Sequence, residues 1–224
     1  MVIYFQYMAK GKSKSKPSPK ASRRVATSGD IEVSTYLEIA KEIGGVQPAA
    51  AREAIPSGER EAIIVIDFGS QYSLLIARRV RECQVYCELV SPDTPWEKIA
   101  PLNPKGFILS GGPGSVYEAN APMTPSYISE SRLPVLGICY GMQVITHQMG
   151  GKVAPGTKRE YGHALLHLGG VDSPLFANVP QSTPVWMSHG DKIETMPPDF
   201  NVLAYTDNSP FAAIGNDKNI FGLQ

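Results

Sequence analysis

Cys139 stands between two glycines in Gly137-Ile-Cys-Tyr-Gly141. A cysteine in that setting is a candidate nucleophile. Gly-x-Cys-x-Gly is the cysteine counterpart of the Gly-x-Ser-x-Gly nucleophile elbow, a sharp turn from strand to helix. Glycine is needed on both sides because such a turn leaves no room for a Cβ beside neighbouring backbone. The turn would lift the sulfur above a sheet, at the N-terminus of a helix, where the dipole favours the thiolate. The same residue also reads as a small buried hydrophobe, the common fate of a free cysteine. Five residues leave both readings open, and the surrounding elements have to decide between them.

Those elements fit an elbow. Val135-Leu-Gly-Ile138 is a short apolar run of the kind found in buried parallel strands, and Met142, Ile145 and Met149 follow at helical spacing. The same alternation runs upstream. Ala62–Asp67 reads as a buried strand, Phe68-Gly-Ser70 as a turn, and Gln71–Arg81 as an amphipathic helix with Leu74, Leu75, Ile76 and Val80 inward. Val85–Val90 is a second strand, Pro92–Ile99 carries a short helix with Trp96, and Gly106–Ser110 is a third strand ending in Gly111-Gly-Pro-Gly-Ser115. Tyr127–Ser131 reads as a short helix before the elbow strand. Alternating strand and helix predict an α/β fold: a doubly wound, mostly parallel sheet. Ligands on such sheets bind beyond the carboxyl ends of the strands, so Gly111, Gly112 and Cys139 should converge. After Gly150 the pattern changes to short strands at 161–168, 183–187, 200–206, 211–214 and 220–224, a smaller antiparallel portion completing the domain.

Composition narrows the possibilities. Seven of the 21 Lys and Arg lie between Lys10 and Arg24, and no acid precedes Asp30. Residues 30–224 therefore carry 14 basic against 21 acidic residues, net −7, which argues against a nucleic-acid face on the main domain. Residues 10–27 are rich in Lys, Ser and Pro and are expected to form a disordered tail. Ile31–Ile43 is a candidate helix with Tyr36, Ile39, Ala40 and Ile43 on one face, and 47–60 reads as a linker, so 1–60 is expected to be an extension and 61–224 the globular domain. Met1–Met8 is too short for a signal core, and Met8 is a candidate start. The three cysteines, Cys83, Cys87 and Cys139, suggest no disulfide framework and fit a cytoplasmic location. Cys83 and Cys87 lack a second pair or a nearby histidine to complete a metal site, so both read as packing residues and no metal is expected. No apolar run is long enough to span a membrane.

Six stretches in order resemble the class I, triad-type glutamine amidotransferases, specifically the glutaminase domain of the GMP synthase family. They are Ile66-Asp-Phe-Gly-Ser-Gln-Tyr72, Ile76-Ala-Arg-Arg-Val-Arg-Glu82, Ile108-Leu-Ser-Gly-Gly-Pro-Gly-Ser-Val-Tyr117, Gly137-Ile-Cys-Tyr-Gly-Met-Gln143, Arg159-Glu-Tyr-Gly162 and Trp186-Met-Ser-His-Gly-Asp191. The resemblance covers 61–224. It implies that Cys139 attacks the side-chain amide of glutamine, giving a glutamyl thioester and ammonia. It places the oxyanion hole at the backbone amides of Tyr140 and Gly112. Gly111 and Gln143 would help hold the substrate, and Ser188, His189, Gly190 and Asp191 would line the pocket for its α-amino and α-carboxylate groups. Without the resemblance, Gly111–Gly114 reads as an ordinary turn or a phosphate loop, though no Gly-Lys-Ser/Thr follows. Ser188–Asp191 alone reads as a polar hairpin turn. The resemblance implies no cofactor in this domain. The implied partner is an ATP pyrophosphatase (synthetase) domain or chain, using ATP and Mg to prepare xanthosine monophosphate for amination.

The family's base and orienter, a His-x-Glu after a strand ending Gly-Leu-Gln, would follow Phe221-Gly-Leu-Gln224. None of His147, His163, His167 and His189 fits the role, so the 224-residue chain is expected to be a truncated domain with little or no glutaminase activity. The alternative is a domain that binds glutamine or a partner without catalysis. The last strand is expected to be frayed and the site open.

Overall fold

The computed structural model describes residues 61–224, with backbone alone at 157–160. The expected tail, the 31–43 helix and the linker to residue 60 lie outside the described residues.

The described residues build one nine-stranded sheet. The strands are β1 (Ala62–Ile66), β2 (Tyr86–Val90), β3 (Pro104–Leu109), β4 (Val135–Ile138), β5 (Lys152–Leu168), β6 (Ser182–Thr195), β7 (Asn201–Tyr205), β8 (Ala213–Gly215) and β9 (Ile220–Leu223). Their order across the sheet is β2-β1-β3-β4-β9-β8-β7-β5-β6. From β2 to β9 the pairing is parallel, and from β9 to β6 it is antiparallel. This is the expected α/β architecture with its antiparallel extension. The β1 sequence Ala-Ile-Ile-Val-Ile is apolar throughout, and β-branched after Ala62, because both of its faces are covered.

Helices α1 (Ser73–Glu82), α2 (Trp96–Ile99) and α3 (Ser126–Glu130) connect the parallel strands β1 to β4, and α4 (Tyr140–Gln148) leads from β4 into β5. On one face Ala77 of α1 packs with Val65 and Cys87, and the Cys87 thiol donates to the Ala77 carbonyl at 3.3 Å. On the other face Met142, Val144 and Ile145 of α4 pack with Ile64, Ile66, Phe107 and Leu109. Of the four residues expected inward on α1, Ile76 and Val80 pack against the Val65, Ala77 and Cys87 cluster, whereas Leu74 and Leu75 do not. Leu74 is 76% exposed and Leu75 45%, while Ser73 and Ala77 are buried. The helix turns its small residues to the sheet, and Ser73 donates to the Asp67 carboxylate at 2.6 Å. Close approach of α1 selected those residues over the larger leucines. Cys83 is exposed, so of the two cysteines read as packing residues only Cys87 packs.

The antiparallel part is longer than expected. β5 and β6 are 17 and 14 residues long and pair along a ribbon whose register breaks between Pro155 and Glu160. Pro155 and the charged run 158–160 hid the first half of β5 in the sequence. A mostly two-stranded ribbon tolerates both, since β7 joins β5 only at His167 and Leu168. Ser188–Asp191 belongs to β6 and is not a hairpin turn.

The expected frayed end is also absent. β9 lies between β4 and β8, the Leu223 carbonyl accepts from the Cys139 amide at 2.6 Å, and the Gln224 amide donates to Ala212 at 2.9 Å. A strand paired on both sides is ordered by its neighbours. The β9 amides should therefore exchange with solvent as slowly as those of β4, as measured by hydrogen–deuterium exchange. Exchange at loop rates would contradict this placement.

Candidate active site

The site is assembled from four strand ends. Cys139 closes β4 with φ 52° and ψ −107°. A non-glycine residue with positive φ is strained, and its surroundings must hold it there. A Cβ on Gly137 would lie 2.5 Å from the Gly141 carbonyl, and one on Gly141 would overlap the Leu109 carbonyl oxygen. Only glycines let α4 start this close to β3 and β4. The elbow read from the sequence is therefore present.

The glycine loop after β3 meets the elbow. A Cβ on Gly111 would stand 3.8 Å from Cys139 Cβ, and one on Gly112 would stand 3.2 Å from the Tyr140 ring and 2.9 Å from the Phe68 carbonyl. The Gly141 amide donates to the Ser110 carbonyl at 3.0 Å, tying loop to elbow. Tyr140 is buried, stacks on Phe68 with ring centroids 5.2 Å apart, and donates from its hydroxyl to the Pro122 carbonyl at 2.8 Å. Gln143 is buried one turn along α4, and its backbone N–H donates to the Cys139 carbonyl at 3.0 Å.

The β6 motif divides by strand alternation. Met187 and His189 are buried while Ser188 is exposed. The Asp191 carboxylate accepts from the Ser115 hydroxyl at 2.5 Å and from the Tyr117 hydroxyl at 3.0 Å, which bridges β6 to the glycine loop. His189 Nδ1 sits 3.0 Å from the Asp191 carbonyl. Ser188 pairs with Tyr161, and a Cβ on Gly190 would reach the Tyr161 hydroxyl at 3.9 Å, so these two lie towards the ribbon's outer face. Asp191 is thus brought to the loop and Ser188 is not.

Several contributors carry no role in the sequence reading. Ser115 and Tyr117 sit inside a motif without an assigned part. Asp67 accepts from the Ser73 hydroxyl at 2.6 Å at the end of β1, and the Ser110 hydroxyl at the end of β3 lies 3.5 Å from the same carboxylate, with a polar residue closing each apolar strand as the sequence signal. The Gln224 side-chain Nε2 approaches Cys139 Sγ to 3.9 Å, and its Oε1 is buried without a partner among the described residues.

The electrostatics run against the expected thiolate. Burial raises the Cys139 pKa, the hydrogen bond from the Tyr140 amide lowers it, and the Asp191 charge raises it again, for a net upward shift. Desolvation outweighs the helix start. His147 is exposed on α4, His163 stacks edge-on against Trp186 at 4.9 Å, and His167 Nδ1 lies 2.9 Å from the Ser182 hydroxyl. Cys139 is accordingly held towards its protonated form, above the range of a free thiol. Its alkylation by iodoacetamide should keep rising at pH values where a small free thiol has levelled off. Asp191→Asn, which removes a negative charge, should move the midpoint down. A wild-type midpoint at or below that of the small thiol would contradict this.

Comparison with known proteins agrees with this geometry. Residues 64–224 match the family model for glutamine amidotransferase class-I. A Dehalococcoides mccartyi protein named GMP synthase [glutamine-hydrolyzing] is 64% identical over 191 residues, covering 84% of this chain and 35% of the relative. The same-named protein of Thermomicrobium roseum is 52% identical over 177 residues, covering 79% of this chain and 33% of the relative. The chain thus spans about a third of the length of these relatives. A solved Thermoplasma acidophilum protein assigned to GMP synthase superposes with a TM-score of 0.67 at 27% identity, covering 74% of this chain and 83% of that one. A Thermotoga maritima glutamine amidotransferase shares the fold with a TM-score of 0.61 at 20% identity, covering 74% and 75%. The chain belongs to the class I glutamine amidotransferase family.

Proposed function

We propose that this chain is the glutamine-hydrolysing portion of a GMP synthase, supplying ammonia for amination of xanthosine monophosphate. The observation that carries the reading is the strained elbow holding Cys139 against a glycine loop at the carboxyl ends of parallel strands. In the proposed reaction Cys139 Sγ attacks the side-chain carbonyl carbon of glutamine, passing its proton towards the leaving nitrogen. The tetrahedral oxyanion is received by the amides of Tyr140 and Gly112. Ammonia departs, leaving a thioester, and water then releases glutamate and the thiol. Gln143 and Asp191 serve substrate positioning, with the carboxylate of Asp191 suited to the α-ammonium group.

Hydrolysis of this kind needs no metal or cofactor. ATP and magnesium would serve the synthetase portion, which activates the nucleotide that accepts the ammonia.

The raised Cys139 pKa means that turnover needs a base. The carboxyl end of β9 lies beside the thiol, with Gln224 3.9 Å from Sγ, so a base on chain following that strand would be within reach. The second reading, glutamine binding without turnover by the 224-residue chain, draws on the same pKa. Loss of triad partners typically costs three or more orders of magnitude in rate. Glutamate release by the 224-residue chain, measured with Cys139→Ala as the blank, should fall about 10³-fold or more below that of a glutaminase with its base. Fast turnover that depends on Cys139 would overturn the need for a further base. Turnover that survives Cys139→Ala would overturn the assignment of the nucleophile.

A further inference from the structure

We infer that the Ser110 hydroxyl is a latch that fixes the Gly111–Gly112 peptide plane and so aims the Gly112 amide. Ser110 is fully buried at the end of β3. Its hydroxyl accepts from the Phe68 amide at 2.9 Å and donates to the Gly111 carbonyl at 2.8 Å. In a planar trans peptide the carbonyl and the following amide point in opposite directions. Holding the Gly111 oxygen on Ser110 therefore sends the Gly112 N–H away from Ser110. Among the described residues that N–H has no hydrogen-bond acceptor.

A glycine pair needs such a latch. Neither residue has a Cβ to bias its backbone, so the intervening peptide can rotate at low cost. The alternative partner for the Ser110 proton is the Asp67 carboxylate, 3.5 Å away. Asp67 Oδ1 already accepts from the Gly69 amide at 2.9 Å and the Ser73 hydroxyl at 2.6 Å. With those donors in place the shorter bond to Gly111 takes the proton. Ser110 is on this account a positioning residue, acting on the oxyanion only through Gly112. Its effect on catalysis rests on the proposed glutaminase reading, whereas its effect on the peptide does not.

The test uses the 224-residue chain with ¹⁵N-glycine and records the Gly112 amide resonance in wild type, Ser110→Ala and Ser110→Thr. In Ser110→Ala the Gly112 resonance should shift or broaden while those of Gly151 and Gly215, which lie away from Ser110, stay in place. In Ser110→Thr, which keeps the hydroxyl, it should return to the wild-type position. An unmoved Gly112 resonance in Ser110→Ala would overturn the latch. So would a threonine variant as disturbed as the alanine one, or loss of the Gly151 and Gly215 resonances, since either would make Ser110 a packing residue. Glutamine turnover by a base-containing form of the protein separates the two claims. If Ser110→Ala moves Gly112 yet leaves kcat unchanged, the latch stands and the oxyanion role of Gly112 falls. Agreement of both would appear as a roughly 10- to 100-fold drop in kcat with little change in KM, the signature of lost transition-state donation.

Discussion

The close approach of α4 to the carboxyl ends of β3 and β4 is the constraint on which the site depends. It exists because Gly137 and Gly141 carry no Cβ where one would strike the Gly141 or Leu109 backbone. That approach forces Cys139 to positive φ, at a cost of about 1–3 kcal/mol. The same helix buries Met142, Val144 and Ile145 against the parallel strands. Each such burial contributes roughly 1.5–3 kcal/mol, so the core readily offsets the strain. The strained residue is thereby set at the strand end where the glycine loop arrives.

The loop, the ribbon and the last strand are tied to that elbow by separate interactions. Gly141 bonds the Ser110 carbonyl, Asp191 takes the Ser115 and Tyr117 hydroxyls, and Leu223 accepts from Cys139 itself. Four distant stretches of sequence thus share one geometry. The arrangement leaves the sulfur buried enough that its proton is retained.

Much of this is legible in the sequence because it depends on local patterns. Apolar runs of four to six residues mark the parallel strands, and the paired glycines mark the elbow. The carboxyl-end rule brings Gly111, Gly112 and Cys139 together from the sequence alone. What cannot be read there depends on three-dimensional context. The helical pattern places Ile76 and Val80 of α1 inward but misplaces Leu74 and Leu75, because Ser73 and Ala77 pack closely where those leucines are expected. The β5–β6 ribbon reads short because Pro155 and a charged run look like a loop until a partner strand is present. The direction of the Cys139 pKa shift depends on desolvation, which no motif encodes. Ser188 and Asp191 stand three residues apart in one motif, yet alternation along β6 sends them to different faces.

The central claim is that this elbow and loop recognise glutamine at Cys139. The most direct measurement is the rate of Cys139 alkylation by iodoacetamide, read by peptide mass spectrometry, as glutamine is added. Saturable protection of Cys139 by glutamine is predicted, with glutamate and asparagine protecting weakly and exposed Cys83 reacting at the same rate throughout. Alkylation of Cys139 indifferent to glutamine, or slowed equally at Cys83, would contradict the account.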